Sequence, residues 1–251
     1  MQLPPVSGGN TLLRNPDVFL DEILRQALDN EIIRLSMKAR NGEYINFGRY
    51  GNDVVVIRNN QIEPEMFMSA DQIIAGRNAT ISALNTYHRK KHLGINDPMP
   101  IVGDKIICLD NNWNYVLTEG NIEISLVNGS IGTIEEMSNL QRARLYNFTF
   151  KPNFMKEKAF HDVHVDKIPF MHETLQQSIK PKELYIYRKK FIDGNGINKF
   201  NYGYAITCHK SQGSEFNNVL LFNEVINKRM HPRWLYTAIT RAKEKLIIVN
   251  V

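Results

Sequence analysis

The hydrophobic pattern changes period along this chain. Near the C-terminus, "NVLLFNEV" and "LIIVNV" are continuous apolar runs of strand length, the pattern of strands buried on both faces. Between them, "PRWLYTAITRAKEK" repeats at helical spacing, with Pro232 near its start. Earlier, "DQIIAGRNATISALNTYHRKKHLG" reads as strand, glycine turn and helix. Ile73, Ile74 and Ala75 make the strand, Asn78 caps the helix, and Ile81, Leu84 and Tyr87 form its apolar stripe. The stretch "NPDVFLDEILRQALDNEIIRLSMKARNGE" admits two readings. One is a single long helix starting at Asn15-Pro16. The other is a short strand at "VFLDEI", a polar break at Arg25-Gln26, and a helix from Asn30 to Arg40. The second is preferred, with Asn30 as cap, Ile33 and Met37 on the buried face, and Asn41-Gly42 as the stop.

From about residue 100 the character is different. "MPIVGDKIICLDNN" is a short strand after a proline-rich entry, and "SLVNGSIGTIEEM" is a hairpin signal centred on Asn128-Gly129. "NFTFKPN", "KAFHDVHVDKIPF" and "KELYIYRKKF" add strand-like alternation, while Phe170 to Pro181 reads as an irregular or helical excursion. The expected fold class is therefore α/β, interrupted by a small β-barrel insertion of SH3-like or OB-like size. The expected boundaries are 1–99 and 199–251 for the α/β domain and 100–198 for the insertion.

Composition narrows the function classes. The 251 residues are 43% hydrophobic and 23% charged, enough for a sizeable core and unlike a disordered chain. A net charge of +5 permits a polyanionic partner without requiring one. Arg89, Lys90, Lys91 and His92 cluster at a helix end, where a solvated end is favoured over a binding patch. Cys108 and Cys208 lack metal-ligand spacing and read as buried free thiols of a cytoplasmic protein. No apolar run approaches the ~20 residues a membrane-spanning helix needs. The opening "MQLPPVSGGN" is no signal peptide, and reads as the interior of a longer protein.

The chemistry concentrates in "YAITCHKSQGSEFNNVLLF", a strand, a polar loop and a second strand. Gly213 allows close backbone approach and Lys210 supplies a point charge for phosphate. Thr207, His209, Ser211 and Gln212 offer hydrogen bonds to phosphate or sugar, and Glu215 can accept from ribose hydroxyls. On composition alone a surface loop is the better reading. Arg241 alone likewise reads as a surface arginine, although an arginine at a helix turn can act on a transferring phosphoryl group.

Together, "TCHKSQGSEFNNVLLF" and "RWLYTAITRAKEKLIIV" resemble motifs V and VI of superfamily 1 helicases, most closely the RecD/Dda-type branch, superfamily 1B, which includes the alpha subunit of exodeoxyribonuclease V. "QLPPV" resembles the end of motif III without its usual Gly-Asp. "RQALDNEIIRLSMKAR" resembles motif IV, and "GDKIICLDNN" with "LVNGSIGTI" resembles the SH3-like insertion of this branch. The resemblance implies a RecA-like second motor domain and a DNA-repair or recombination helicase. In the intact enzyme it would be driven by ATP and Mg²⁺ and move 5′ to 3′ on single-stranded DNA.

The resemblance also implies roles for single residues. Gln2 senses the γ-phosphate, and Arg25 and Arg241 reach it across an interdomain cleft. Gly213, Glu215 and Gln212 border the nucleotide. Thr207, His209 and Lys210 lie towards single-stranded DNA, with Ser211 and Gln212 bridging the two sites. The sequence contains no GxxxxGK[ST] phosphate loop. Most phosphate and Mg²⁺ ligands are accordingly expected on a first motor domain outside these residues, and no ATPase activity is expected from this chain alone. A non-catalytic nucleic-acid-binding or adaptor fragment on the same fold is the alternative, and an unrelated β-barrel protein with a chance motif is a third reading.

Overall fold

A computed structural model describes residues 30–119, 122–140, 145–171 and 196–251. The chain divides into two compact units, one formed by residues up to His88 together with Ala205–Val251, the other by Arg89–Tyr204. The expected strand at "VFLDEI", the expected strand at "KELYIYRKKF", Gln2 and Arg25 lie outside the described residues.

The first unit is built on a six-stranded sheet. In chain order its strands are β1 (Gly48–Tyr50), β2 (Val54–Arg58), β3 (Gln72–Ala75), β11 (Ala205–Thr207), β12 (Phe216–Asn223) and β13 (Ala242–Asn250). Their spatial order is β1-β2-β13-β12-β3-β11. All neighbours run parallel except β1, which pairs antiparallel with β2. Among the described residues four helices accompany the sheet: α1 (Glu31–Arg40), α2 (Pro64–Ser69), α3 (Asn78–Lys91) and α4 (His231–Ile239). Ile73, Leu220, Phe222 and Val249 pack with Phe67 of α2 and Leu84 of α3. The alternate residues Ile74, Leu221 and Ile248 are buried as well. With α1 and α4 packed on each other and on β13, both sheet faces are covered, which explains the unbroken apolar runs. The edge strand β11 is closed by a side chain. Asn85 of α3 accepts from the Ala205 N–H at 2.8 Å and donates to the Ala205 carbonyl at 3.0 Å, standing in for a further strand.

Several expectations need correcting. Asn30 does cap α1, accepting from the N–H groups of Ile32 and Ile33. The buried face, however, is Ile32, Leu35, Ser36 and Ala39, with Ile33 and Met37 only half-buried. Asn78 lies inside α3 instead of capping it, since the Ile81 N–H already bonds to the Arg77 carbonyl. Helix α4 stops at Ile239, so Arg241 is not helical. The reason is a long-range bond: the Arg241 carbonyl already accepts from the Phe216 N–H at 2.8 Å, and Ala242 begins β13.

The second unit carries β4 (Lys105–Cys108), β5 (Asn112–Glu119), β6 (Ile122–Leu126), β7 (Ile131–Leu140), β8 (Leu145–Pro152), β9 (Phe160–Asp166) and β10 (Phe200–Tyr202). Five form an antiparallel sheet in the order β10-β4-β7-β8-β9, and β5 pairs with β6. The core is aromatic, with Phe148, Phe150, Phe160 and Phe200 all fully buried. The turn at Asn128-Gly129 exists, but its flanking strands β6 and β7 belong to different sheets. The turn is drawn to β4, where the Gly129 N–H bonds to the Cys108 carbonyl and the Cys108 N–H bonds to the Ser130 carbonyl.

Arg89 is the other correction. It is 3% exposed, not part of a solvated helix end. Its guanidinium meets the Asp104 carboxylate through Nε and Nη2, both at 2.9 Å, and also donates to the Asp97 and Met99 carbonyls. The Tyr202 ring lies 4.3 Å from the Arg89 guanidinium carbon, and the Tyr204 hydroxyl donates to Asp104. One buried ion pair thus ties the first and last segments of the unit together. Both partners, with Tyr202 and Tyr204, lie within the unit Arg89–Tyr204.

Removing one partner of such a pair strands a buried charge. Arg89→Ala is expected to destabilise the second unit by about 3–5 kcal/mol. Of the chain's two tryptophans, only Trp113 lies in this unit. Its fluorescence in a Trp234→Phe background during denaturant unfolding measures the effect. A loss below about 1 kcal/mol, the range of exposed pairs, would show that the pair is not the tie described.

Candidate functional site

The polar loop between β11 and β12 is a compact series of turns. The Thr207 hydroxyl accepts from the Lys210 N–H at 3.3 Å, and the Thr207 carbonyl accepts from the Ser211 N–H at 3.1 Å. The Ser211 hydroxyl donates to the Cys208 carbonyl at 2.8 Å. Further on, Gln212 N–H bonds to the His209 carbonyl and Ser214 N–H to the Ser211 carbonyl. Threonine and serine suit these turns because their hydroxyls replace backbone partners. Gly213 has φ +82°, a conformation that side chains disfavour, and it is exposed. The loop is anchored to the sheet where the Cys208 N–H bonds to the Ala75 carbonyl at the end of β3.

Arg241 completes the loop. Its Nη1 donates to the Ser214 carbonyl at 2.8 Å and the Ser211 carbonyl at 3.5 Å. Its Nε donates to the Thr237 carbonyl of α4 at 3.1 Å, and Nη2 reaches the Thr240 hydroxyl. A guanidinium that would otherwise need a carboxylate is held by backbone and hydroxyl oxygens. It makes α4, β13 and the loop one assembly. Charges near it respond to burial. Lys210 is half-buried, and desolvation lowers its ammonium below the ordinary range. Burial pushes the Cys208 thiol up to about 12, against the pull of the Arg241 charge, so it is no nucleophile at neutral pH.

Of the residues expected at the site, Thr207, His209, Lys210, Ser211, Gln212, Gly213 and Arg241 thus share one loop and its brace. Ser211 is fully buried with its hydroxyl turned inward, so in this structure it braces the loop and presents nothing to a ligand. Glu215 is exposed and pairs with Lys243 at 3.1 Å. Among the described residues no group of three His, Cys, Asp or Glu side chains comes together that could hold a metal ion. No helix among them is long and apolar enough to cross a membrane.

Glu224 was not anticipated. It follows β12 directly, is buried, and accepts from the N–H groups of Gly76 and Arg77 and from the Thr80 hydroxyl. The signal was available, since a carboxylate at the end of a buried strand must find donors.

Comparison with known proteins places this segment. Residues 202–249 match the UvrD-like helicase C-terminal domain. Over 154 residues the chain is 50% identical to uncharacterized protein MJ1519 of Methanocaldococcus jannaschii, covering 59% of this chain and 10% of that protein. The structure resembles Pif1 helicase from Candida albicans, with 15% identity and a TM-score of 0.47, over 92% of this chain and 56% of that one. It also resembles Pif1 helicase from Bacteroides in complex with ADP-AlF3 and ssDNA, with 13% identity and a TM-score of 0.44, over 88% of this chain and 49% of that one. The chain therefore spans a tenth of the archaeal relative and about half of these helicases.

Two measurements test the site's construction. Arg241→Ala leaves the Ser211 and Ser214 carbonyls without their charged donor, and amide exchange across Gln212–Ser214 should accelerate at least ~10-fold. Unchanged exchange would mean the brace is idle. Lys210 should titrate below the ordinary 10.5. Between its lowered value and 10.5 the unfolded chain binds more protons, so this residue's contribution to stability rises with pH through that window. NMR of ¹³C-methylated lysines should show this early-titrating amine, absent in Lys210→Arg, and a bound polyanion should move it back up.

Proposed function

We propose that this chain is a C-terminal motor-domain portion of an ATP-dependent superfamily 1 DNA helicase. The observation that carries the reading is the match of residues 202–249 to the UvrD-like helicase C-terminal domain, over a segment that Arg241 physically joins. A motor that couples phosphate occupancy to strand grip needs one rigid body touching both ligands. The loop 207–215, braced by Arg241, has that form. In this reading Arg241, with Gln2 and Arg25, addresses the γ-phosphate of ATP. Gln212, Gly213 and Glu215 border the nucleotide, while Thr207, His209 and Lys210 face single-stranded DNA and Ser211 holds the loop's shape.

The finer assignments rest on sequence resemblance. They are the RecD/Dda-type branch, translocation 5′ to 3′, an SH3-like character for residues 100–198 and a RecA-like character for the flanking domain. ATP and Mg²⁺ would be held largely by a first motor domain supplying the GxxxxGK[ST] loop. Of the two Pif1 helicases above, the Bacteroides one was solved with ADP-AlF3 and ssDNA.

The test is ATP hydrolysis by this chain, with and without single-stranded DNA, followed by DNA binding across a salt series. No turnover is expected, with binding in the micromolar range or weaker and steeply salt-dependent. Robust DNA-stimulated turnover would overturn the partial-motor reading. If adding a first motor domain in trans or in cis restored no turnover, the non-catalytic adaptor would be the better description.

A further inference from the structure

Within the first unit, a groove of about 420 Å³ lies against the C-terminal ends of β12 and β13, between the end of α1 and the start of α4. Its floor is aliphatic: Ala39, Val56, Leu235 and Ile248 line it and are buried. Its rim is apolar and open to water. Tyr44 is 72% exposed, Phe47 40% and Val225 48%. Large apolar side chains gathered in water around one concave face mark a contact surface.

Two residues that line the groove carry polar atoms with nothing to bind. Asn223 donates from Nδ2 to Asn250 Oδ1 at 2.7 Å, but its own Oδ1 is buried and has no hydrogen-bond partner among the described residues. His231 Nδ1 is in the same condition. The His231 ring stacks on Trp234 with centroids 5.8 Å apart, and burial lowers its pKa below the ordinary value. The ring is therefore neutral at neutral pH and can accept at Nδ1. A buried acceptor without a donor is costly, and two around one groove point to a ligand that brings donors.

The surroundings are cationic. The Arg58 guanidinium carbon lies 4.6 Å from the centre of the Phe47 ring, and Lys228, Arg229 and Arg233 are exposed where the chain enters α4. Against them the groove is lined by one acidic side chain, Glu43, which accepts from Asn41 Nδ2 at 2.9 Å. These features select among ligands. The floor takes an aliphatic or aromatic side chain. The two acceptors call for donors along a backbone: a peptide supplies an N–H at every residue, whereas the DNA backbone supplies only acceptors. The cations favour carboxylates.

We propose that this groove docks an acidic peptide segment of a partner protein. One apolar side chain fills the groove, backbone N–H groups reach Asn223 Oδ1 and His231 Nδ1, and carboxylates meet Arg58, Arg229 and Arg233. The surface shares no residue with the loop 207–215 or with Arg241, so it stands or falls separately from the helicase reading.

A phage-displayed library of random short peptides, panned against the full chain, tests this. Enriched peptides should combine aspartate or glutamate with one or two large apolar residues. The anisotropy of an enriched, labelled peptide should then report affinity. Val225→Glu, which puts a charge on the apolar rim, should weaken it at least ~10-fold, and so should His231→Phe, which keeps the ring and removes the acceptor. Arg233→Glu should weaken it and flatten its salt dependence. Val225 and Arg233 are exposed, so their variants should melt as the unmodified chain does and carry the test if His231→Phe does not fold. No enrichment, enrichment of basic or uncharged peptides, or affinity unchanged in any variant that folds overturns the proposal. Other occupants overturn it too. Nucleic acid is the occupant if oligothymidylate displaces the peptide and Val225→Glu weakens the oligonucleotide equally. A second copy is the occupant if sedimentation shows a dimer that Val225→Glu dissociates. The groove is an internal joint if peptide binding disappears in a longer protein that carries a first motor domain.

Discussion

Parallel pairing of β12 with β3 on one side and β13 on the other is the constraint on which the first unit depends. A parallel strand in the middle of a sheet is covered on both faces, so it can carry little but apolar side chains. Leu220, Leu221 and Val219 satisfy that, and so do Ile73 and Ile74 on β3 and Leu246 and Ile248 on β13. Polar function is therefore excluded from the strands and driven to their ends. The loop after β11, the turn after β3 and the segment after β12 are where the chain can change character, and each does so within one or two residues of its strand.

Buried Arg89 and Glu224 and half-buried Arg241 are satisfied in different ways. Arg89 has a carboxylate of opposite charge, Asp104, plus two carbonyls and a ring. Glu224 has backbone N–H groups at a helix start and a hydroxyl. Arg241 has carbonyls and a hydroxyl, without a carboxylate. These choices have different consequences. A paired charge such as Arg89 has no attraction left to offer and suits a structural tie. A charge held only by dipoles, such as Arg241, keeps its net charge and still attracts an anion. The structural tie and the responsive group are thus distinguishable by their partners alone.

Strands β3, β11, β12 and β13 were legible as apolar runs, whereas β2 was not anticipated although it is equally apolar; α1 was legible because Asn30 and Asn41-Gly42 are strong local signals. The end of α4 was not. "AITRAKEK" has helical composition throughout, and only the long-range bond from Phe216 to the Arg241 carbonyl turns it into strand. Arg89 was misread for the same kind of reason. A basic cluster at a helix end is usually solvated, and the acid that buries it, Asp104, is supplied by another element. The turn at Asn128-Gly129 was predicted correctly as a turn and wrongly as a hairpin, because sheet partners lie beyond local sequence. Within the candidate site, the chemistry of the loop was visible in its residue types. Its inward members were not: nothing in "HKSQGSEF" says that Ser211 faces the core while Lys210 is only half-buried.

On the proposed reading, Arg241 must serve as brace and as phosphate contact with one guanidinium. These roles compete for the same N–H groups. The bonds to Ser211 and Ser214 are worth roughly 1.5–3 kcal/mol each as hydrogen bonds to a charged donor, while a γ-phosphate offers full negative charge and two or three acceptors. A phosphate in reach would therefore draw at least one N–H away from the loop. The loop would lose part of its restraint at the moment the nucleotide is seated, and regain it when phosphate leaves. The same loop is bonded to the end of β3, where the Cys208 N–H meets the Ala75 carbonyl. Coupling between a nucleotide and a strand then requires only that one arginine exchange neutral oxygen partners for charged ones.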